Sequence, residues 1–395
     1  MQKVIRLVVL YFALAGLVAH LSALTVYLFF PGVIYKVQER MVERFNDSFP
    51  MLAAMAGTIP VEYDLESELQ QVLPPWQPQA GTPMSPGEIR IGTRLFPNLQ
   101  EAVKALRDGD TLMIGPGIYE EAFLLTASNT RIIGNGAVHI RNKATGGKGA
   151  MVIRGHNTLI RNIECSGISV SDRNGACVRL EGKNIILDHV YFHDSDQGLL
   201  TGYTPGIMRI HDSRFVKLGR GGRAHGVYVG GGELYISNSI FAAARGSGHE
   251  IKSRAAVNEI RNSLLTSLSS DDSRLVDISN GGKLVITDSV LHQGPGTTNG
   301  DVIGFALEDN KRNNQLQITN NLFILERDGP NYLLHTRQKY DLSNVRGNVI
   351  VGRDASGSSE GSITFPDRKK AGIGDYPALP DRTDASADTS GLQWQ

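Results

Sequence analysis

Eight short segments of this chain are versions of one another. LIRNIEC, ILDHVYF, RIHDSRF, YISNSIF, EIRNSLL, VITDSVL, QITNNLF and NVRGNVI each place an aliphatic residue, a polar residue, usually Asn or Asp, and an apolar residue three further on. The first aliphatic column is Ile160, Leu187, Ile210, Ile236, Ile260, Ile286, Ile318 and Val345. The second is Cys165, Phe192, Phe215, Phe241, Leu265, Leu291, Phe323 and Ile350, with identical spacings of 27, 23, 26, 24, 26, 32 and 27. A period near 25 that keeps its internal register through inserts is the mark of a coil of short strands, one turn per repeat. A leucine-rich repeat has this length but needs a Leu-x-x-Leu-x-Leu frame that is absent, and a sandwich keeps no such register.

A further strand in each repeat aligns as MVIRG, CVRLE, GLLTG, GVYVG, EIKSR, LVDIS, VIGFA and LLHTR. Its inward column is expected to be Ile153, Val178, Leu199, Val227, Ile251, Val276, Ile303 and Leu334, because alternate residues of a strand face opposite ways. The column Asn162, Asp212, Asn238, Asn262, Asp288 and Asn320 has a structural role at a turn, where Asn and Asp tolerate unusual backbone angles. The phenylalanines are core. In FPNLQEAVKALRDGDTLMIGPGIYEE, a helix with Leu99, Val103 and Leu106 on one face can cover the open first turn, whose bare strand edge otherwise invites aggregation.

The flanks differ in kind. Leu7 to Phe30 is an apolar run of 24 residues without formal charge, long enough to span about 30 Å of hydrocarbon as a helix. Lys3 and Arg6 also suit a cleaved signal peptide, but the run is long for one, and an uncleaved anchor is expected. Lys36, Arg40 and Arg44 follow the span, so charge alone leaves its orientation open. The expected division is an anchor with a short cytoplasmic start (1–31), a juxtamembrane helix and proline-rich linker (32–87), the coil (88–351) and an irregular tail (352–395). Forty basic and forty acidic residues cancel, which gives a nucleic-acid partner no support. Two cysteines, Cys165 and Cys177, read as isolated filler rather than a framework or zinc site.

The cap segment, GDTLMIGPGIYEE and the Asn-punctuated turns resemble the right-handed parallel β-helix superfamily, whose members include pectate lyases and mannuronan C5-epimerases. The resemblance covers roughly 88–351. It implies an all-β right-handed solenoid and a carbohydrate-active protein. NIILDHVYFHDSDQGLL is similar to a pectate-lyase stretch, with Asp188, His189, Asp194 and Asp196 at or near matching positions. Gln197 follows Asp196 where glycine is usual, and LLTG replaces the next acidic partner, so calcium is allowed but no cofactor is expected. FHDSD only echoes the epimerase motif DPHD.

With Val227 and Ile251 inward, the outward stripe becomes Arg154, Arg179, Leu200, Tyr228, Lys252, Asp277, Gly304 and His335. The next outward position carries Glu181, Gly202, Gly230, Arg254, Ser279, Ala306 and Arg337, while Gln197, His225, His249 and Arg274 enter the strand. His225, Tyr228, His249, Lys252 and Arg254 should therefore meet on two adjacent turns. Gly226 and Gly230 would leave the surface low enough for a polymer, and Arg220 and Arg223 would form a wall. Eliminating or epimerising a uronate needs a neutralised carboxylate, a base and an acid. Lys252 and Arg254 suit the first role, His249 or His225 the second, and Tyr228 the third, with Arg179, Arg220, Arg223 and Asp277 binding substrate. No metal ligand set is assigned, since two histidines without carboxylates make a poor site. The competing readings are a stacked histidine pair at a turn and a solvated polar strand. A glycoside hydrolase would have only Glu181, Glu250 and Asp277 to draw on. The resulting expectation is a single-pass protein of a bacterial inner membrane with its coil in the periplasm. It would act on an acidic polysaccharide as a lyase or C5-epimerase, in company with cell-envelope polysaccharide assembly proteins. A non-catalytic binding or scaffold protein is the alternative.

Overall fold

The computed structural model describes residues 63–309, 312–357 and 361–380; the apolar run 7–30 and the segment 32–60 lie outside the described residues. No helix among the described residues is long and apolar enough to cross a membrane.

The strands form three sheets of twelve, eleven and nine strands among the described residues, and each turn of the chain visits them in the same order. Among the described residues the strands pair in parallel except at the start, where Ile89–Ile91 runs antiparallel to both Arg94–Phe96 and Thr111–Ile114. The fold is a parallel β-helix. In the first sheet, Ile160, Leu187, Ile210, Ile236, Ile260, Ile286, Ile318 and Val345 oppose one another turn by turn. The Cys165-to-Ile350 column does the same in the second. Phe215 and Phe241 stack with ring centroids 4.8 Å apart, and Phe192 meets Phe215 edge-on at 5.5 Å. The helix Leu99–Ala105, with Asn98 accepting from the Glu101 N–H as its cap, buries Leu99 and Val103 over the first turn, with Leu106 buried just beyond it.

The corner between the first and second sheets is a single residue in the left-handed region. Asn162, Asp212, Asn238, Asn262, Asp288 and Asn320 have φ between 45° and 59°, and His189 takes the same place at 51°. Asn and Asp bear this conformation at less cost than other side chains with a Cβ. One residue on, Ser213, Ser239, Ser263 and Ser289 form an interior ladder. Each hydroxyl accepts the backbone N–H one turn earlier, at 3.1–3.2 Å. A corner whose amides would otherwise be buried without partners is satisfied this way.

Four expectations are corrected. In the third sheet Val178 faces Met151, and Ile153 faces Leu180. Val152 therefore takes the place expected for Arg154. Five consecutive buried residues, Gly149–Ile153, leave apolarity unable to choose between registers two apart. Ser279 and Ala306 are fully buried, so the second outward row is interrupted after Arg254 and only Arg337 is exposed beyond it. Cys165 and Cys177 are joined by a disulfide with Cα atoms 5.9 Å apart, on consecutive strands of one turn. Finally, the tail is not irregular throughout: Ile363–Phe365 pairs with Val349–Val351, and Arg368–Ala371 is a short helix capped by Asp367.

The proline-rich segment is extended, as expected, but it is bound along the coil. Its helix Leu65–Val72 lays Leu69 and Val72 on an apolar outer patch of Val216, Ile240, Leu264, Leu268 and Ile324, which Phe365 and Ile373 of the tail also cover. Beyond it, Trp76 stacks on His189 at 4.3 Å. The Gln79 N–H and C=O both bond the Asn162 amide at 2.8 Å. Corner side chains thus supply the partners that a proline-interrupted backbone cannot obtain from a ladder.

Candidate functional site

Strands Val227–Val229 and Ile251–Ser253 are neighbours in the third sheet, with Tyr228 beside Lys252 and Lys252 beside Asp277. The sequence-derived cluster therefore forms on adjacent turns. Its interior matches the competing reading, a stacked histidine pair at a turn, rather than two exposed bases. His225 and His249 are only 3% and 7% exposed and stack with centroids 4.8 Å apart and planes 5° from parallel. His225 Nδ1 accepts the His249 backbone N–H at 3.0 Å, and His249 Nδ1 accepts that of Arg274 at 3.0 Å. Each ring thus spends one lone pair on the next turn of backbone, which fixes the neutral tautomer with the proton on Nε2. Burial, with the cations nearby, holds His225 well below the usual histidine range. Burial also lowers His249, against the pull of Asp277.

The next layer out is a chain of charges. His249 Nε2 lies 3.2 Å from Asp277 Oδ2, which Lys252 Nζ approaches to 3.3 Å. Burial opposes ionisation of Asp277, but the hydrogen bond from His249 and the Lys252 and Arg274 charges outweigh it and hold the carboxyl below its ordinary value. Lys252 Nζ also meets Glu308 Oε1 at 2.9 Å, and the other Glu308 oxygen takes Arg254 Nη2. The Arg254 guanidinium lies 5.2 Å from the centre of the Tyr228 ring, and His225 meets that ring edge-on at 5.5 Å. No repeat register in the sequence points to Glu308. It lies in the long insert after the strand Asp301–Phe305, where no repeat register applies.

The glycines serve a different purpose from the one expected. A Cβ on Gly226 would sit 2.4 Å from the Glu250 carbonyl oxygen, and one on Gly230 would sit 2.3 Å from that of Gly202. They let successive turns approach, rather than lowering a surface for a polymer.

The remaining residues disperse. Arg179 lies in the same outward row as Tyr228, two turns earlier, with its Nε buried and without a hydrogen-bond partner among the described residues. Arg220 reaches the Ser169 hydroxyl at 2.6 Å and Asp196 at 3.2 Å, and Arg223 is exposed on the same loop. The carboxylates of the pectate-lyase-like stretch are engaged separately. Asp188 pairs with Arg161 at 2.6 Å, and Asp194 with His193 at 2.8 Å and Lys217 at 3.3 Å. Asp196 accepts the Val170 and Gly175 N–H groups, both at 3.1 Å. His189 bonds Asp212 and the Gln77 carbonyl, the structural role its place in the corner column implied.

A second group of chemically able residues went unread. On the outer face of the second sheet, His139, Glu164 and His193 come from three successive turns and bring ligand-type atoms within 4.8 Å of one another. His139 and Glu164 precede the inward residues Ile140 and Cys165, whereas His193 follows Phe192, so the group draws on two outward rows and no single row of the sequence displays it.

No family model and no curated protein matches this chain. Among solved structures it is similar to the alginate lyase from Paenibacillus sp. str. FPU-7, with a TM-score of 0.43 and 16% identity over 68% of this chain and 93% of that one. A mutant of the PL6 family alginate lyase AlyGC scores 0.30 at 12% identity, over 67% of this chain and 52% of that one. At these levels what the chain does rests on its own geometry.

Proposed function

We propose that the protein binds an acidic, uronate-containing polysaccharide on the third-sheet ledge and acts on it as a lyase or C5-epimerase. One observation carries this reading: the Glu308 carboxylate lies across Lys252 and Arg254 with one oxygen on each. A uronate carboxylate needs that same two-point neutralisation before the proton on its adjacent carbon becomes acidic. Substrate would displace Glu308 and come to lie beside Tyr228. A base takes the C5 proton and the electron pair moves toward the carboxylate carbon. The bond to the leaving oxygen then breaks with its protonation, or a new proton is delivered to C5 from the other face. The histidines have spent their Nδ1 lone pairs, so proton transfer on the ledge side falls to Tyr228, as base and then acid in elimination; in epimerisation water on the opposite face supplies the new C5 proton. His225 and His249 are positioning residues that support Tyr228 and Asp277.

We place the coil in the periplasm, anchored in a bacterial inner membrane by 7–30 and working beside cell-envelope polysaccharide assembly proteins. The apolar run supports an anchor, and the Cys165–Cys177 disulfide supports an oxidising compartment.

The test is a panel of polyuronates, read by ultraviolet absorbance of the unsaturated product and by C5 proton exchange in deuterated water. Tyr228→Phe should abolish turnover and keep binding, and Lys252→Ala should weaken binding. The engagement of both histidine Nδ1 atoms by backbone favours a second reading, a non-catalytic binding or scaffold protein. Binding that depends on Lys252, with neither product nor exchange on any polymer, would decide for it. Full turnover by both variants would remove the ledge from consideration.

A further inference from the structure

We infer that His139, Glu164 and His193 form a binding site for a late first-row divalent metal, with zinc the best match. The inference is independent of the polysaccharide reading and concerns a different face of the coil. His193 Nε2 lies 3.1 Å and His139 Nδ1 3.6 Å from the same oxygen, Glu164 Oε1. Zinc bonds of about 2.0–2.1 Å in tetrahedral geometry separate ligand atoms by about 3.4 Å, so these two edges bracket the requirement. The remaining edge is no longer than 4.8 Å.

The ring nitrogens facing away from the cluster are already held. His139 Nε2 bonds the Ser166 hydroxyl at 2.8 Å, and His193 Nδ1 bonds Asp194 at 2.8 Å. Asp194 is in turn fixed by Lys217 at 3.3 Å. Outer hydrogen bonds of this kind orient metal-binding imidazoles, set the tautomer and raise basicity toward the ion. Side-chain exposures of 19%, 23% and 16% for His139, Glu164 and His193 leave the cluster in contact with solvent, so a fourth ligand can be water or an anion. Two imidazoles and one carboxylate suit zinc or cobalt, whereas calcium seeks six to eight oxygens.

The experiment uses the full chain in detergent, free of any histidine tag and stripped with chelator. Cobalt should bind one per chain with the visible absorption of a four-coordinate site, and zinc should displace it; calcium should do neither. Glu164→Gln and His193→Ala should each abolish this spectrum. Asp194→Asn, which removes no ligand, should weaken affinity by about 10- to 100-fold. Zinc should also raise the thermal midpoint of the parent protein and leave that of His193→Ala unchanged. Absence of the spectrum from the parent, or its survival in folded Glu164→Gln, would overturn the site. Should both ligand variants misfold by circular dichroism, equal affinities of the parent and Asp194→Asn would overturn it as well.

Discussion

Asp272 and Glu250 are carboxyl groups with almost no exposure, 0% and 1%, and no cation among the described residues offsets their burial. Asp272 accepts the Ser267 and Thr297 hydroxyls, both at 2.7 Å, and Glu250 accepts the Ala244 N–H at 2.7 Å. Burial raises Asp272 from 3.8 to about 8 despite the hydroxyls, with Asp271 adding to the rise. Burial and the neighbouring Asp272 raise Glu250 well above its ordinary value. Between about pH 4 and pH 8 the folded protein therefore holds a proton on Asp272 that the unfolded chain has released. Stability is fully present below the unfolded value and falls as pH rises through that window, with a slope near 1.4 kcal/mol per pH unit per group. From pH 5 to pH 7 Asp272 alone should cost about 2.7 kcal/mol. Asp272→Asn keeps the shape, satisfies both hydroxyls after they rotate, and cannot titrate. Urea unfolding followed at both pH values should show the parent losing about 2.7 kcal/mol more than the variant over this interval. Glu250 contributes the same sign to both proteins, so it cancels from the difference to first order. Parallel pH curves for parent and variant would show that Asp272 is already ionised in the fold, and the reasoning would fail.

Glu308→Gln should release Lys252 and Arg254, raising affinity for a polyuronate several-fold at low salt and making binding more salt-dependent, as affinity electrophoresis would show. Asn262→Ala, at φ 45°, should destabilise by about 1–2 kcal/mol, with Asn262→Gly recovering most of the loss in thermal midpoint. Replacing Cys165 and Cys177 by Ala should remove about 3 kcal/mol, since the bridge closes a loop with a sequence separation of 12; a non-reducing peptide map checks the pairing itself.

What could be read from the chain and what could not divide along a physical line. In a parallel coil each inward residue sits on its counterpart one turn away, so Phe192, Phe215, Phe241 and Phe323 share one chemical constraint and repeat visibly. The corner repeats too, because one backbone conformation recurs there and Asn162, Asn238, Asn262 and Asn320 answer it. The meeting of Tyr228 with Lys252 followed from this register alone. The side chains that define the ledge chemically obey no such rule. Glu308 comes from an insert whose length changes from turn to turn, and it reaches Lys252 across 56 residues. The disulfide joins second-sheet and third-sheet columns that were aligned separately, so nothing in either column set Cys165 against Cys177. The histidines mark the opposite case: their spacing sets them on adjacent turns, but spacing alone does not choose between an exposed base and a stacked pair at the turn. A residue entering a strand can point along the coil as easily as out of it. There its ring stacks on the next turn and its nitrogen meets backbone rather than solvent. Register fixes which turns are neighbours; whether a polar group between them faces water or its own backbone depends on the loop that leads into the strand, whose length and course change from turn to turn. A chemical site on such a coil is therefore best sought where an insert folds back over a readable row, as Glu308 does over Lys252 and Arg254.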